Sequence, residues 1–282
     1  MPNPATQSKR LAPARAVLGL FKLYAHYVQL SLASQLQYRK AFYIQVAGHF
    51  ASSGIGFLGV WALLARFGHF DGWGLAEVSI LYGLINASFA IAEAFGRGFD
   101  VFGTDFIRTG EFDRLLVRPR SIILQLLGHE VRLRSLGRLS QGLVVLTFGL
   151  ISTNAMSVTA LIICLWCVVG GVALFVGLFV LQATLSFWTI ESLEILNVFT
   201  YGGVQAAQYP VSIYAGWLRG IFTYVIPFAA VTYYPALVIV GRESSSRHQA
   251  VFACSPVLGI AFLLVALAFF SLGIRRYVSA GG

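Results

Sequence analysis

The chain has 282 residues, of which 57% are hydrophobic and only 11% are charged, and its formal net charge is +9. A soluble domain carries about 25% charged residues, so this composition excludes a water-soluble globule. The positive charge does not indicate nucleic acid, because Lys and Arg residues that flank apolar spans on one side of a membrane account for it.

The first forty residues differ from the rest of the chain. Residues 1–15 are basic and rich in proline, which predicts a mobile cytoplasmic tail. In residues 16–40 apolar side chains such as Leu20 and Tyr24 share one helical face, which predicts an amphipathic helix lying on the inner membrane surface. The first long apolar run starts only near Ala41, so no signal peptide is expected.

Residues 41–282 are predicted to form a single, all-α transmembrane domain with six transmembrane helices. The strongest signal follows Arg138, after which the next formally charged residue is Glu191. A bilayer core of roughly 30 Å needs about 20 apolar residues in a helix, and this stretch is long enough for two crossings. The predicted spans are about 41–64, 75–95, 133–152, 157–190, 191–209 and 256–274. A charged loop over 96–132 separates the second span from the third.

The basic residues predict the orientation. With six crossings, sixteen Lys and Arg residues lie on the side of the N-terminus and four lie on the other side. The positive-inside rule therefore places both termini in the cytoplasm.

The segment 195–241 has two interpretations that charge does not separate. It forms either two full spans, or one span followed by an extracellular re-entrant helical hairpin at about 215–238. Pro227 and Pro235 interrupt a helix there, and broken backbone at membrane depth needs shelter from protein or a water-filled cavity. The prolines favour the hairpin.

The charged loop contains the segment FGTDFIRTGEFDRLLVRPR at residues 102–120. Apolar and charged residues alternate in it as in a short amphipathic helix, Gly110 permits a sharp turn, and Pro119 limits where the next helix starts. Such an element could dock in a groove of a soluble partner. The alternative is a solvated basic loop that only orients the protein.

Several runs resemble one known family. The run from Ile107 to Pro119 is similar to the loop between the second and third spans of ABC-2 type (type V-like) ABC transporter permease subunits. The Tyr38-Arg39 pair before the first span, YPVSIYAGWLR at 209–219 and IPFAAVTYYPAL at 226–237 also resemble that family. The likeness extends along essentially the whole chain in order and spacing.

The resemblance implies a non-catalytic subunit of an ATP-hydrolysing exporter in the bacterial inner membrane. Such a subunit pairs with a second permease chain, identical or homologous, and two separate cytoplasmic ATPase subunits dock beneath them. The substrate would be a lipid-like, glycolipid or other amphipathic compound, and membrane lipids would surround the complex. The chain itself needs no cofactor: ATP and Mg would be bound by the partner ATPase, since the only lysines are Lys9, Lys22 and Lys40 and no Walker-type run occurs.

The resemblance also assigns candidate site residues. For coupling to the ATPase these are Asp105, Ile107, Arg108, Gly110, Glu111, Phe112, Asp113, Leu116, Arg118 and Pro119. For the re-entrant hairpin they are Tyr209, Pro210, Trp217, Arg219, Pro227 and Pro235.

Two other classes of function stay open. A secondary transporter or channel would have no ATPase partner, but no acidic or basic residue lies in the middle of a span to carry protons or ions. An intramembrane enzyme would need a nucleophile such as Ser52 or Ser53 with a base in reach, and no pairing is visible beyond His49 on the same helix. The five histidines show no metal-ligand spacing.

Overall fold

The computed structural model describes residues 24–189, 193–243 and 245–277. All regular elements within these ranges are helical, as the composition predicts. The first, α1, covers residues 24–36. The others are α2 (Arg39–Phe67), α3 (Leu75–Phe95), α4 (Arg97–Asp100), α5 (Glu111–Val117), α6 (Ile122–Leu127), α7 (Leu136–Ser152), α8 (Val158–Leu185), α9 (Leu193–Ala207), α10 (Gly216–Gly220), α11 (Phe228–Val231), α12 (Tyr233–Ile239), α13 (Ser246–Cys254) and α14 (Val257–Arg276).

Five of these stretches are long and apolar enough to cross a membrane. They are α2, α3, α8, the continuous stretch Leu133–Ser152 that ends in α7, and the stretch Ser246–Arg276 that joins α13 to α14. A sixth candidate is the pair Gly216–Val225 and Phe228–Ile239, which is bent by 66°. The chain is therefore a multi-pass helical protein with five or six candidate spans.

The predicted span at 191–209 corresponds to α9. This helix has 15 described residues, a length of about 22 Å, which is less than the roughly 30 Å of a hydrocarbon core. Residues 190–192 lie outside the described ranges, so the predicted total of six crossings stays a prediction.

Helix α3 forms the centre of the bundle. It packs against α7 on one side and α8 on another, and α8 in turn packs against α14. Glycines allow the close approach: a β-carbon at Gly83 of α3 would lie 2.5 Å from the β-carbon of Leu146, and one at Gly259 of α14 would lie 2.1 Å from the carbonyl oxygen of Gly170. Packing through small residues is typical of helices in lipid, where no hydrophobic effect drives helices together.

Helix α2 lies at the edge of the bundle. Only Ser53, Val60 and Leu64 among its 29 residues are buried, whereas Ile44 and Ile55 are 73% and 69% exposed. Its apolar surface faces outward along most of its length, as expected of a helix that contacts lipid or another membrane protein.

Helix α1 is held against the chain between α6 and α7. The backbone amide of Val131 donates to the hydroxyl of Ser31 at 3.1 Å, and that of Leu133 donates to Oε1 of Gln35 at 3.1 Å. Two side chains one turn apart thus satisfy an otherwise irregular backbone segment. The interfacial helix predicted for 16–40 lies partly outside the described residues, and its position at a membrane surface stays a prediction.

Candidate functional site

Residues 96–135 lie at one end of the bundle, which is called the basic end below. The polypeptide leaves α3 through the short helix α4 and a π-helical turn at Phe102–Ile107, and then reaches α5. Gly110, immediately before α5, has φ 73°, in the left-handed region that favours glycine. The segment predicted as an amphipathic element is therefore two short helical pieces joined by a sharp turn at Gly110.

Helix α5 is anchored by aromatic side chains. Phe112 is fully buried, and its ring lies 5.1 Å from that of Phe102, 5.5 Å from that of Phe187 and 4.9 Å from that of Tyr277. Phe102 also lies 5.6 Å from Phe270 of α14. Edge-to-face pairs of this kind add about 0.5–1.5 kcal/mol each beyond simple burial.

These five residues, Phe102, Phe112, Phe187, Phe270 and Tyr277, form what is called the aromatic cluster below. It joins α5 to the residues that follow α8 and to the last turns of α14. Sequence analysis identified Phe112 as a candidate but missed the other four. All four lie outside the run from Ile107 to Pro119, and no local signal distinguishes them from the many other aromatic residues of the chain.

The remaining candidate coupling residues divide by exposure. Ile107, Gly110, Glu111 and Asp113 are half-buried, whereas Asp105, Arg108, Leu116, Arg118 and Pro119 are exposed. Leu116 is 41% exposed, although the amphipathic pattern suggested an apolar contact for it, and the neighbouring Val117 is 85% exposed. The exposed set, with Val117 added, is called the docking face: Asp105, Arg108, Leu116, Val117, Arg118 and Pro119.

A network of charges lies where α3 ends and α7 begins. Arg97 pairs with Asp100 and lies 3.8 Å from Glu130, while Glu93 lies 3.8 Å from Arg132 and 3.6 Å from Arg138. Glu93 therefore pairs with two neighbouring arginines. These bonds link the end of α3 to the start of α7.

Asp100 connects this network to α9. Its side chain is almost completely buried and accepts a hydrogen bond from the hydroxyl of Tyr201 at 3.2 Å. Burial raises the pKa of Asp100 above its ordinary value, although the Arg97 guanidinium beside it acts in the opposite direction. A carboxylate in this position ties α4 to α9 at the basic end.

The predicted hairpin region is a broken helical segment. Ile226 is extended ahead of Pro227, and the bend of 66° falls there. Pro235 lies in the first turn of α12, and since it has no N–H to donate to the carbonyl four residues earlier, the helix is interrupted at Thr232. Both prolines thus lie next to interruptions of the helical segment.

The other hairpin candidates are dispersed over this segment. Pro210 is buried, Tyr209 packs edge-to-face on Phe70 at 5.6 Å, and Trp217 is 70% exposed. Arg219 donates to the carbonyl oxygens of Ser212 and Tyr214, so it stabilises the turn before α10.

Arg242 fastens the end of this segment to α3. Its guanidinium donates from Nε and Nη2 to the two carboxylate oxygens of Glu77 at 2.9 Å and 2.7 Å, donates to the carbonyl oxygen of Gly72 at 2.5 Å, and stacks 4.8 Å from the ring of Trp73. Sequence analysis did not identify Arg242 as a candidate. The partners lie about 165 positions earlier, beyond the reach of any sequence pattern.

We expect Arg242→Lys to lower stability by about 1 kcal/mol, since an ammonium group cannot form the two parallel bonds or the stacking contact and the pair is partly exposed. Thermal unfolding of the purified protein measures this as a lower melting temperature. Arg247→Lys is the matched control, because Arg247 is exposed on α13 and has no ion pair among the described residues. Equal melting temperatures for the two variants would contradict the assignment.

Within the described residues, no group of three or more His, Cys, Asp or Glu side chains could hold a metal ion. The features that the structure does bring together are the exposed set of candidate coupling residues, an aromatic cluster that links α5 to two long helices, and a broken helical segment at the other end of the bundle. With five or six apolar helices, these define a multi-pass integral membrane protein.

A comparison with protein families identifies the class more closely. Residues 50–281 match the model of the ABC-2 family transporter protein. The chain belongs to the ABC-2 family of transporter proteins. It is therefore a permease component of an ABC transporter, and membership implies that it works with an ABC ATPase component. Neither the curated proteins nor the solved structures yielded a significant match.

Proposed function

We propose that this permease is the membrane-spanning subunit of an ATP-driven exporter in a bacterial inner membrane. Its basic end faces the cytoplasm, together with both termini. The positive-inside distribution of sixteen basic residues against four supports this orientation. It places the docking face in the compartment where ATP is available.

The complex contains two ATPase subunits and a second permease chain, identical or homologous. ATP and Mg are bound by the ATPases, and this chain supplies no catalytic residue. The docking face offers apolar Leu116 and Val117 beside the cationic Arg108 and Arg118, a composition suited to a groove with an apolar floor and acidic rim.

The observation that carries the proposal is that the docking face is attached to the bundle through a buried side chain of α5. Helix α5 exposes Leu116 and Val117 on one side and buries Phe112 on the other, inside the aromatic cluster. Close-packed interiors transmit displacement because they are nearly incompressible. A push on the docking face is therefore transferred to the ends of α8 and α14.

The transported compound is amphipathic, and it leaves toward the outer side. The broken segment 209–239 lies at the exit, where it forms a re-entrant hairpin. The exposed Trp217 and Tyr224 suit the membrane–water interface, where aromatic residues with a polar atom are enriched.

The test is gentle purification of the tagged chain from its host, with mass spectrometry of the proteins that co-elute. We expect a stoichiometric soluble ATPase with the unmodified chain. Its amount should fall by about tenfold or more in the Leu116→Ser, Arg118→Glu double variant, because an apolar contact and a charge are lost together and each 1.4 kcal/mol is a factor of ten in affinity.

Arg247→Glu is the matched control, since it makes the same charge reversal on an exposed residue at the opposite end of the bundle. It should retain the ATPase. If the unmodified chain elutes alone even after cross-linking, the exporter proposal is wrong and a secondary transporter or channel takes its place. If the double variant keeps its full ATPase complement, the docking face lies elsewhere.

A further inference from the structure

A cavity of about 120 Å³ lies between α2, α3, the first turn of α7 and the end of α9, and it is open on one side, where Ser52, Gly56, Tyr201 and Gln205 are exposed. Eight of the ten residues that line it carry a polar side-chain group. Two of these, Tyr82 and Asn86, lie near the middle of α3, which places the cavity at membrane depth. Polar groups at that depth are costly unless they have partners, and they commonly mark a substrate pathway.

Gln208 is the residue that points to a ligand. It lines the cavity and is only 3% exposed, yet its side-chain amide forms no hydrogen bond with the described residues. The amide borders the cavity, so its hydrogen-bonding groups are available to a molecule that enters there. Asn86 is equally buried and uses its amide nitrogen on the carbonyl oxygen of Tyr82 at 2.9 Å. Its amide oxygen also forms no bond with the described residues. The cavity is thus lined by amide groups that can form hydrogen bonds with a ligand.

The charge at the basic end of the cavity is positive. Arg138 lines the cavity, and its nearest acidic partner is Glu93 at 3.6 Å. Arg132 lies 3.8 Å from the same carboxylate and 3.4 Å from that of Glu130, so the Glu93 carboxylate is shared between two guanidinium groups. The Nε atom of Arg138 is buried and has no hydrogen-bond partner among the described residues. An anion that entered the cavity could accept a hydrogen bond from this Nε atom.

We propose that the cavity receives the anionic headgroup, a phosphate or a carboxylate, of the amphipathic compound that this permease moves. Arg138 supplies the charge, and the amides of Gln208 and Asn86 supply hydrogen bonds. A cavity of this volume has room for about four waters, which suits a headgroup but not a whole lipid. The apolar tail lies along the outward face of α2, where Ile55 and Leu58 are exposed beside the lining residues. This inference rests on the proposed transport function and specifies its substrate class.

The test is binding of dodecyl phosphate to the purified full-length chain in lipid nanodiscs, measured by calorimetry. Inorganic phosphate and a neutral dodecyl glucoside are measured in parallel. We expect saturable binding of dodecyl phosphate that weakens about tenfold or more in Gln208→Leu and in Arg138→Gln, as for the loss of a hydrogen bond to a charged group. Gln37→Leu and Arg276→Gln make the same replacements on exposed residues and should bind as the unmodified chain does.

The Gln208→Leu variant separates binding from folding. Because the amide has no partner among the described residues, its replacement by an apolar group of similar size should leave the melting temperature unchanged or raise it. A structural role would lower the melting temperature together with binding. If Arg138→Gln fails to fold because Glu93 loses its pair, Gln208→Leu still decides the question.

Tight binding of dodecyl phosphate with weak binding of inorganic phosphate supports a lipid-like substrate. Equal, Arg138-dependent binding of both supports an anion site that takes its ligand from solution. Binding of the neutral glucoside alone, or dodecyl phosphate binding that neither cavity variant weakens, overturns the proposal. The measurement needs no ATPase, so its failure would leave the co-elution result and the exporter proposal intact.

Discussion

Replacement of Phe112 by alanine is expected to abolish most coupled transport while the bundle remains inserted and folded. The Phe112 side chain is fully buried and joins α5 to Phe102, Phe187 and Tyr277. A buried Phe→Ala change costs about 3–5 kcal/mol. Here the lost free energy is that of packing one seven-residue helix, α5, against the bundle. Each 1.4 kcal/mol changes a population ratio about tenfold, so the detached state of α5 would become about a hundredfold or more better populated.

The measurement is ATP hydrolysis and transport by the reconstituted complex, compared per ATP consumed. Transport per ATP should fall by about tenfold or more in Phe112→Ala, and Phe112→Leu should retain most of it, because leucine fills a similar volume. Arg114→Ala is the matched surface control: Arg114 lies on the same helix, is exposed, and pairs only with Glu111 among the described residues. A loss in Arg114→Ala as large as that in Phe112→Ala would show that the aromatic cluster is not the connection.

The aromatic cluster also marks the limit of sequence analysis for this chain. Phe112 was identified only through the family resemblance of the run from Ile107 to Pro119. Phe187 and Phe270 lie in or next to apolar stretches, where a membrane helix carries aromatic residues on its lipid face as readily as in its core. Burial distinguishes the two cases, and burial depends on tertiary packing.

The long helices were easier to predict than their contacts. The second predicted span, 75–95, coincides with α3 because glycines and charges bound the apolar run on both sides. The predicted first span starts at 41, whereas α2 starts at Arg39, since basic residues are good helix formers and do not end a helix. Apolar runs predict where helices lie, but basic flanks belong to the helix as well.

The docking face shows a different limit. The pattern of residues 102–120 predicted an amphipathic element, and the structure confirms short helical pieces with Phe112 and Leu115 buried. Leu116, for which the pattern predicted an apolar contact, is 41% exposed on a helix of only seven residues. In so short a helix, periodicity cannot decide which apolar residue faces a partner and which faces the core.

The second large effect is expected from Gly83→Ala. A β-carbon at this position would lie 2.5 Å from the β-carbon of Leu146 and 2.7 Å from the carbonyl oxygen of Gly142, both on α7. Neither atom can move without a shift of helix backbone, so α3 and α7 must separate. Overpacking of this kind costs about 1–3 kcal/mol, and here it acts on the central helix of the bundle.

Gly54→Ala is the matched control, since Gly54 lies in another long apolar helix and an added β-carbon there would meet nothing within 4 Å. Its melting temperature in detergent should be unchanged or slightly raised, because alanine is favoured over glycine inside a helix by about 0.5–1 kcal/mol. The same substitution is thus expected to act in opposite directions at two sites.

If Gly83→Ala proves as stable as Gly54→Ala, α3 and α7 do not approach each other as closely as these distances indicate. The position of Asn86, one turn further along α3 and a lining residue of the cavity, would then also change. Helix packing at Gly83 and the geometry of the proposed headgroup site therefore depend on each other.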